Sequence, residues 1–301
     1  MVEKKIKVLI GPSSFAAADK EPMKRLLEAG IEVIDNPFKR KLTKEELLKL
    51  LPGIIGLIAG LETLDREVME TSDLKVISRC GSGMSNVDIQ AAKEMGILVF
   101  NTPLAPVTAV AELTVGCLLS LIRQIPQANS DTHDRKWTKR IGRQLKGMEV
   151  AVIGFGNIGR RVGELVAAFG ARVMAVDPAL SDQTINLKDA IKQADAILVH
   201  AGGEDCILGE GEFNLMKQGV YLLNAARGGL IDENALKKAL DDGKVAGAWL
   251  DTFKEEPYSG PLSDYSQVIL TPHIGSYTAE CRKAMELEAA KNLIEAFNAH
   301  K

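Results

Sequence analysis

Four residues stand where an α/β chain does chemistry. Arg227 follows the apolar run 220–223, Asp251 follows 245–250 with Glu256 in the loop behind it, and His273 follows 268–270. Ligands of parallel sheets bind beyond the carboxyl ends of the strands, so polar residues there are the first candidates. A guanidinium at Arg227, in Asn224-Ala225-Ala226-Arg227-Gly228-Gly229, could hold a carboxylate bidentately and polarise a neighbouring carbonyl. The alternative is a structural arginine paired with Asp232. The chain has four histidines. His300 is at the chain end, His133 lies in a basic stretch, and His200 ends a strand and could simply line a cleft. His273, in Leu270-Thr271-Pro272-His273-Ile274-Gly275-Ser276, is the best acid/base candidate. A nearby carboxylate, Glu256 for choice, would stabilise the imidazolium so that it can donate a proton near neutral pH.

A second group of residues has a different use. Val150-Ala151-Val152-Ile153 runs into Gly154-Phe155-Gly156-Asn157-Ile158-Gly159, and a helical pattern closed by Gly170 follows. Gly154 permits the tight strand-to-helix turn, Gly156 lets backbone approach a pyrophosphate, and Gly159 lets helix and strand pack closely. The N–H groups that open the helix would face the phosphates. The next apolar run, 172–176, ends at Asp177, which can take the two ribose hydroxyls of NAD and would repel the extra phosphate of NADP. The alternative is a structural turn followed by a surface aspartate. Anion holder, proton donor, carboxylate partner and hydride cofactor together make a constellation that no one of them makes alone.

These residues need elements to position them, and the chain supplies an alternating pattern. Strands are expected at 7–10, 32–34, 56–59, 75–78 and 98–100, with helices at 20–29, 43–51, 66–71 and 86–95 between them. Thr43 and Glu46 form a capping-box pair, and Gly30 and Gly96 stand at helix ends. Asn101-Thr102-Pro103-Leu104-Ala105-Pro106 then breaks the pattern and reads as a hinge. A long apolar helix is expected from about 108 to 121, ended or bent by Pro126. Residues 131–146 are the most basic stretch and carry Trp137; they read either as a solvated arm or as an arm that packs on a neighbouring subunit and lends charge to a site. Six further strands, at 150–153, 172–176, 196–199, 220–223, 245–250 and 268–270, match a complete dinucleotide-binding domain. The last helix, 279–297, comes too late for that domain and is expected to return to the first. The reading is therefore α/β, with two Rossmann-like or flavodoxin-like doubly wound parallel-sheet domains: 1–100 with 275–301, and 101–274.

The bulk numbers agree. At 301 residues there is room for about two domains. Hydrophobic content of 46% and charged content of 26% are ordinary, and a net charge of -3 gives no electrostatic case for nucleic acid or an anionic membrane. Cys80, Cys117, Cys206 and Cys281 are scattered, which fits reduced thiols better than disulfides or a zinc site. No apolar run approaches the ~20 residues that span a bilayer. The N-terminus runs straight into a strand without a signal-type region, so a cytoplasmic location is expected.

At this point the chain resembles the D-isomer-specific 2-hydroxyacid dehydrogenase family, over nearly its full length. Asn101-Thr102-Pro103 with Ala111-Glu112-Leu113-Thr114 resembles the family's interdomain helix, and Arg79-Cys80-Gly81-Ser82-Gly83 with Asn86-Val87-Asp88 its substrate-carboxylate loop. Ala226-Arg227-Gly228, Glu255-Glu256-Pro257 and Pro272-His273-Ile274-Gly275 resemble its three catalytic motifs, in the family's order and spacing. The resemblance implies hydride transfer between NAD and C2 of a small 2-hydroxy or 2-oxo acid, with Arg227 as substrate binder, Glu256 as partner of the histidine and His273 as general acid/base. It implies substrate contacts at Cys80, Gly81, Ser82 and Gly83. For the cofactor it implies Ser82, Gly154, Gly156, Asn157, Ile158, Gly159, Asp177, His200, Ala201, Ala225, Ala226, Asp251, Gly275 and Ser276. No metal is implied, and a homodimer through the 131–146 arm is.

Within the family, Arg123-Gln124-Ile125-Pro126-Gln127-Ala128 and Lys136-Trp137 are most similar to the members that oxidise 3-phospho-D-glycerate, the entry to serine synthesis. Two stretches depart from them. Those members carry an arginine after the third strand, where this chain has Ala59-Gly60-Leu61-Glu62. After His200 the family has a Leu-Pro-like turn, whereas Ala201-Gly202-Gly203-Glu204-Asp205 reads as more flexible and acidic. The phosphorylated acid leads as substrate, glyoxylate or hydroxypyruvate reduction stands second, and a non-catalytic NAD(H)-sensing protein is the reading from another class. The chain ends without room for an appended regulatory domain, so serine feedback through one is not expected.

Overall fold

The computed structural model describes residues 6–299, apart from the side chains of 181–183; residues 1–5 and His300 lie outside the described residues. The chain forms two units, one of 1–106 with 276–301 and one of 107–275. The chain thus changes unit after Pro106 and after Gly275, where the sequence reading set the changes at 101 and 275.

The first unit holds a five-stranded parallel sheet: β1 (Lys7–Ile10), β2 (Glu32–Ile34), β3 (Gly56–Ala59), β4 (Val76–Arg79) and β5 (Leu98–Phe100), in the order β2-β1-β3-β4-β5. This is the flavodoxin-like order, whose direction of winding reverses between β1 and β3. Both faces are covered, so the strands are mostly apolar, with Lys7, Glu32, Ser78 and Arg79 as the exceptions. Leu9, Leu57 and Ile77 face α2 (Lys44–Leu50), α3 (Arg66–Glu70) and α4 (Ile89–Glu94). The other face is covered by α1 (Glu21–Glu28) and by the long last helix, Ala279–Asn298, which packs on β3, β4 and α1. There Phe297 lies so close to Gly56 that a Cβ would sit 2.9 Å from its ring. The Thr43/Glu46 capping box forms in both directions, at 3.3 and 3.0 Å. One helix starts later than expected. Asn86 spends its side chain on the carbonyls of Gly60 and Glu62, so the cap falls to Asp88, which accepts from Ala91 N at 2.8 Å.

The second unit holds six parallel strands: β6 (Glu149–Ile153), β7 (Arg172–Val176), β8 (Ala196–Val199), β9 (Val220–Asn224), β10 (Val245–Leu250) and β11 (Val268–Leu270). Their order is β11-β10-β9-β8-β6-β7. A full dinucleotide sheet carries a further strand outside the second. Here the segment after β7 turns at Pro178 and offers a single bond, Ile185 N to Ala175 O at 2.9 Å. All six strands form where the sequence reading places them, but among the described residues the sheet lacks that outer strand and carries its sixth on the opposite edge. Alternate residues of each strand divide between two cores. Val150, Val152, Leu198 and Leu223 meet α5 (Val107–Ile122) and α7 (Asn157–Ala168), while Ile153, Ile197, Leu222 and Leu250 meet α8 (Leu187–Gln193), α9 (Glu210–Leu215) and α10 (Glu233–Asp241).

Pro126 does not end α5. The break falls at Gln124, which is left-handed (φ 51°), and Pro126 sits in the first turn of α6 (Ile125–His133), where its missing N–H costs nothing. No single helix among the described residues is long and apolar enough to cross a membrane. β8 runs into His200, whose two ring nitrogens are buried without a hydrogen-bond partner among the described residues.

Two predictions follow from this packing. Leu293, fully buried on the last helix, should cost about 2–5 kcal/mol on truncation to alanine; an unchanged urea midpoint would mean the helix is not docked in solution. Burial pushes His200 from 6.5 down to about 4. The unfolded chain then takes up a proton below pH 6.5 that the native state refuses until about pH 4. Stability from this group is complete above the first value and lost towards the second, on the order of 3 kcal/mol in all. His200→Asn should therefore flatten the fall in stability between pH 7 and 5, and parallel pH curves would refute a buried neutral imidazole.

Candidate active site

The carboxyl ends of β9, β10 and β11 carry the first constellation. β9 ends in Asn224, fully buried, whose side chain receives Ala226 N at 3.0 Å and donates to Arg227 O at 2.9 Å. That asparagine turn fixes the backbone of Arg227, and Arg227 Nη1 donates to Ala226 O at 2.7 Å. Asp232, the alternative partner considered for Arg227, instead caps α10 through Asn234 N and Ala235 N. Gly228 then passes so near the loop after β10 that a Cβ would lie 1.9 Å from the carbonyl carbon of Phe253. Only glycine allows this approach, which brings the Arg227 turn onto the loop that carries Glu256.

Glu256 and His273 meet. His273 Nδ1 lies 3.0 Å from Glu256 Oε2, and Glu256 Oε1 receives Phe253 N at 3.1 Å. Both side chains are about one-third exposed. A carboxylate on Nδ1 holds that nitrogen as the N–H, so Nε2 is the atom that can pass a proton to a ligand. His273 itself is left-handed (φ 55°), a conformation that costs a non-glycine residue about 1 kcal/mol or more and must be held from outside. Asp251, buried at the end of β10, does the holding. It accepts from Thr271 Oγ1 at 2.6 Å, Ile274 N at 2.8 Å and Gly275 N at 2.8 Å. Burial pushes the Asp251 carboxyl up, and these bonds pull against it. Thr271 and Trp249, whose Nε1 donates to Thr271 Oγ1 at 2.9 Å, were not singled out from sequence, although Thr271 follows a strand end as the other candidates do.

The second constellation lies where the winding of the sheet reverses, between β6 and β8. Gly154 (φ 88°) has no room for a side chain: a Cβ would meet Ala201 N and Cα at 2.4 Å. A Cβ on Gly159 would lie 2.0 Å from Gly154 O. Gly156 is different, because a Cβ there would meet nothing within 4 Å. Gly156 also opens α7 with no side-chain cap, so the first-turn N–H groups of Asn157, Ile158 and Gly159 remain for a ligand. Open space before uncapped amides is what a pyrophosphate needs. At the end of β7, Asp177 receives Phe155 N at 2.9 Å and Ala179 N at 3.0 Å, one on each oxygen, which leaves each oxygen an acceptor position for a ribose hydroxyl. The orphaned His200 nitrogens belong to the same strand ends, beside Ala201. On Asp251, Oδ1 is filled by two donors and Oδ2 by one, so one acceptor position remains there as well. Ala225 and Ala226 lie in the Arg227 turn. These residues fit a dinucleotide. The 201–205 loop is less loose than its composition suggests: Ala201 abuts Gly154, and Glu204 O backs onto Gly229, where a Cβ would come within 2.7 Å.

In the first unit, Cys80, Gly81, Ser82 and Gly83 follow β4. Gly81 N donates to Thr102 Oγ1 at 2.7 Å, so the loop's remaining donors are the N–H groups of Ser82 and Gly83. Ser82 O accepts from Asn101 at 2.8 Å. Arg79 lies beneath, with Nη1 on Cys80 O at 3.0 Å and its guanidinium where a Gly81 side chain would be. Cys80 is a buried thiol pushed up to about 12 by desolvation, so it is no nucleophile at neutral pH. The reversal between β1 and β3 is filled by Glu62. It is 1% exposed, with Oε2 on Gly60 N at 2.5 Å and the bare Gly11 and Gly60 against its carboxylate. Burial pushes its pKa up, against the pull of Lys41 and Arg79. Ser276 starts the return of the chain to this unit.

The basic stretch is partly neutralised by its own acids and by Asp195 outside it. Arg140 pairs with Asp131, Lys136 with Asp134 and Arg143 with Asp195, at 2.8, 3.3 and 3.4 Å. Its apolar residues are the unusual part, since Trp137 is 83% and Ile141 94% exposed.

Comparison with known proteins agrees with this geometry. Residues 115–275 match the model of the D-isomer specific 2-hydroxyacid dehydrogenase NAD binding domain. The chain is 37% identical over 288 residues to D-3-phosphoglycerate dehydrogenase of Rattus norvegicus, covering 90% of this chain and 54% of that protein. It is 37% identical over 270 residues to hydroxypyruvate reductase of Thermotoga maritima, covering 84% of this chain and 88% of that one. The crystal structure of the TT0316 protein of Thermus thermophilus superposes with a TM-score of 0.88 at 33% identity, over 98% of this chain and 97% of that one. The chain spans about half the length of the curated phosphoglycerate dehydrogenases it matches. With the order of its motifs, two parallel doubly wound sheets and a family match across the second unit, this chain belongs to the D-isomer specific 2-hydroxyacid dehydrogenase family.

Proposed function

We propose that this protein is an NAD-dependent dehydrogenase of D-2-hydroxy acids, with 3-phospho-D-glycerate as its leading substrate. The observation that carries the reading is His273 Nδ1 held 3.0 Å from Glu256, with the Arg227 turn packed against the same loop. Bound NAD(H) supplies or accepts the hydride at C2. Arg227 takes the substrate carboxylate by its guanidinium fork and sets the orientation of C2. In the reducing direction His273 gives the proton on Nε2 to the carbonyl oxygen, so no free alkoxide forms. Glu256 holds the ring and balances the imidazolium. In the oxidising direction the neutral ring accepts the same proton. Asp177 selects NAD over NADP, because a 2′-phosphate would meet a carboxylate. The N–H groups of Ser82 and Gly83 in the first unit are proposed as carboxylate donors.

A second reading is favoured by one observation. Glu62 fills the reversal of the first sheet with a carboxylate, and the run Gly60-Leu61-Glu62 directly after β3 carries no base, which suits an unphosphorylated acid such as hydroxypyruvate or glyoxylate. We also propose a cytoplasmic location and a homodimer whose contact includes Trp137 and Ile141. Two large apolar side chains this exposed are costly in water and are suited to burial by a second copy.

Turnover with 3-phosphoglycerate plus NAD, beside NADH oxidation with phosphohydroxypyruvate, hydroxypyruvate and glyoxylate, ranks the two substrates. His273→Gln should lower kcat ~10²–10⁴-fold in either direction, and intact turnover would remove His273 from the reaction. NADH binding without turnover of any of these acids would leave only a sensing role. Trp137→Glu with Ile141→Lys should convert a dimer to monomers in sedimentation velocity; a wild-type profile in the variant would rule the arm out of the contact.

A further inference from the structure

The loop that carries His273 is organised around one hydroxyl. Trp249 Nε1 has a hydrogen to give and nothing to accept with, so at 2.9 Å it must donate to Thr271 Oγ1. The Thr271 hydrogen is thereby directed to its other neighbour, Asp251 Oδ1, at 2.6 Å. The same Asp251 oxygen receives Ile274 N, and Oδ2 receives Gly275 N, the two residues after the left-handed His273. Thr271 also binds the histidine from the other side, since its carbonyl receives His273 N at 2.9 Å. We propose that Thr271 is a positioning residue for proton transfer: its hydroxyl keeps Asp251 an acceptor, and Asp251 in turn holds the backbone that aims His273.

The chemistry sets a direction. Protonation would leave Asp251 a weaker acceptor for the three donors it now receives, because hydrogen bonds to an ionised group are the stronger ones. The buried carboxylate also places negative charge behind His273. The titratable groups around Asp251 are His273 from the loop after β11, Glu256 bonded to that histidine, and the Cys117 thiol on α5. Desolvation first and Asp251 second push that thiol up to about 12, so it is neutral. Removing the Thr271 donor favours neutral Asp251, weakens the hold on Ile274 and Gly275, and leaves the imidazolium less supported.

The test is Thr271→Val, which keeps the shape and removes the hydroxyl, beside Thr271→Ser, which restores it. Amide hydrogen exchange at Ile274 and Gly275 should quicken about 10- to 100-fold in Thr271→Val and return towards wild type in Thr271→Ser. With NADH and hydroxypyruvate as the probe, kcat should fall about tenfold. The pH at which reductive turnover is half lost should move down by about one unit. Wild-type exchange in Thr271→Val, an unmoved pH profile, or equal damage in the valine and serine variants would each overturn the proposal. If Thr271→Val does not fold, Trp249→Phe, which releases the hydroxyl from its donor, must show the same shifts at smaller size. The rate readout rests on the proposed function, but the exchange readout does not. A wild-type protein that reduces no 2-oxo acid would defeat that function, and exchange would still decide the role of Thr271.

Discussion

The second unit depends on the Asp251 carboxylate. Burying a carboxylate costs several kcal/mol, and a hydrogen bond to a charged group returns about 1.5–3 kcal/mol. With three donors the two sides are nearly matched. The balance is tipped towards the cost, which is why burial still pushes Asp251 up. The structure therefore holds a desolvated carboxylate beside the point where the chain leaves β11. What this arrangement achieves is local. It satisfies the two amides after His273 and overcomes the conformational cost of a left-handed histidine. The ring is then held by Glu256 at Nδ1.

The loops around this carboxylate are held by close backbone contact as well as by side chains. Gly228 lies against Phe253, Gly154 against Ala201, and Gly159 against Gly154. Each approach is closer than any Cβ allows. The first two contacts join neighbouring strand ends, the Arg227 turn to the Glu256 loop and the dinucleotide turn to the loop after β8, and the third closes the dinucleotide turn on its own helix. Gly156 is the exception, glycine with space around it, and that space stands before the uncapped start of α7. Within the 154–159 motif two glycines crowd and one does not, which separates packing from ligand approach.

The first unit buries charge of its own. Glu62 fills the reversal between β1 and β3, and on the last helix Glu286, fully buried, binds Arg282 at 2.6 Å and Ala16 N at 2.8 Å. Arg282 reaches on to Ser14 at 3.0 Å. Buried pairs of this kind add little net stability, but removing one partner is expensive. They fix geometry. Here they tie the loop after β1 to the last helix and give that helix a single seating on the sheet.

The alternation of short apolar runs with amphipathic stretches was enough to determine two parallel α/β units, because strands covered on both faces are mostly apolar whereas the covering helices keep one polar face. Motif order likewise singled out Arg227, Glu256, His273 and the glycine turn, since polar residues at carboxyl strand ends have few structural reasons to be there. Tertiary structure decided the rest. The outer strand beyond β7 shrank to one hydrogen bond, because nothing in the local pattern of 178–186 reports whether a neighbouring edge will be paired. Pro126 began a helix instead of ending one, because proline is tolerated in a first turn and the break came from the φ of Gln124. Glu62 read from sequence only as part of a stretch that lacks the expected arginine and proved to be a buried plug. Thr271 was silent, because a threonine after a strand has no pattern of its own. Its meaning comes from Trp249 on one side and Asp251 on the other, residues that the fold brings to it from another strand.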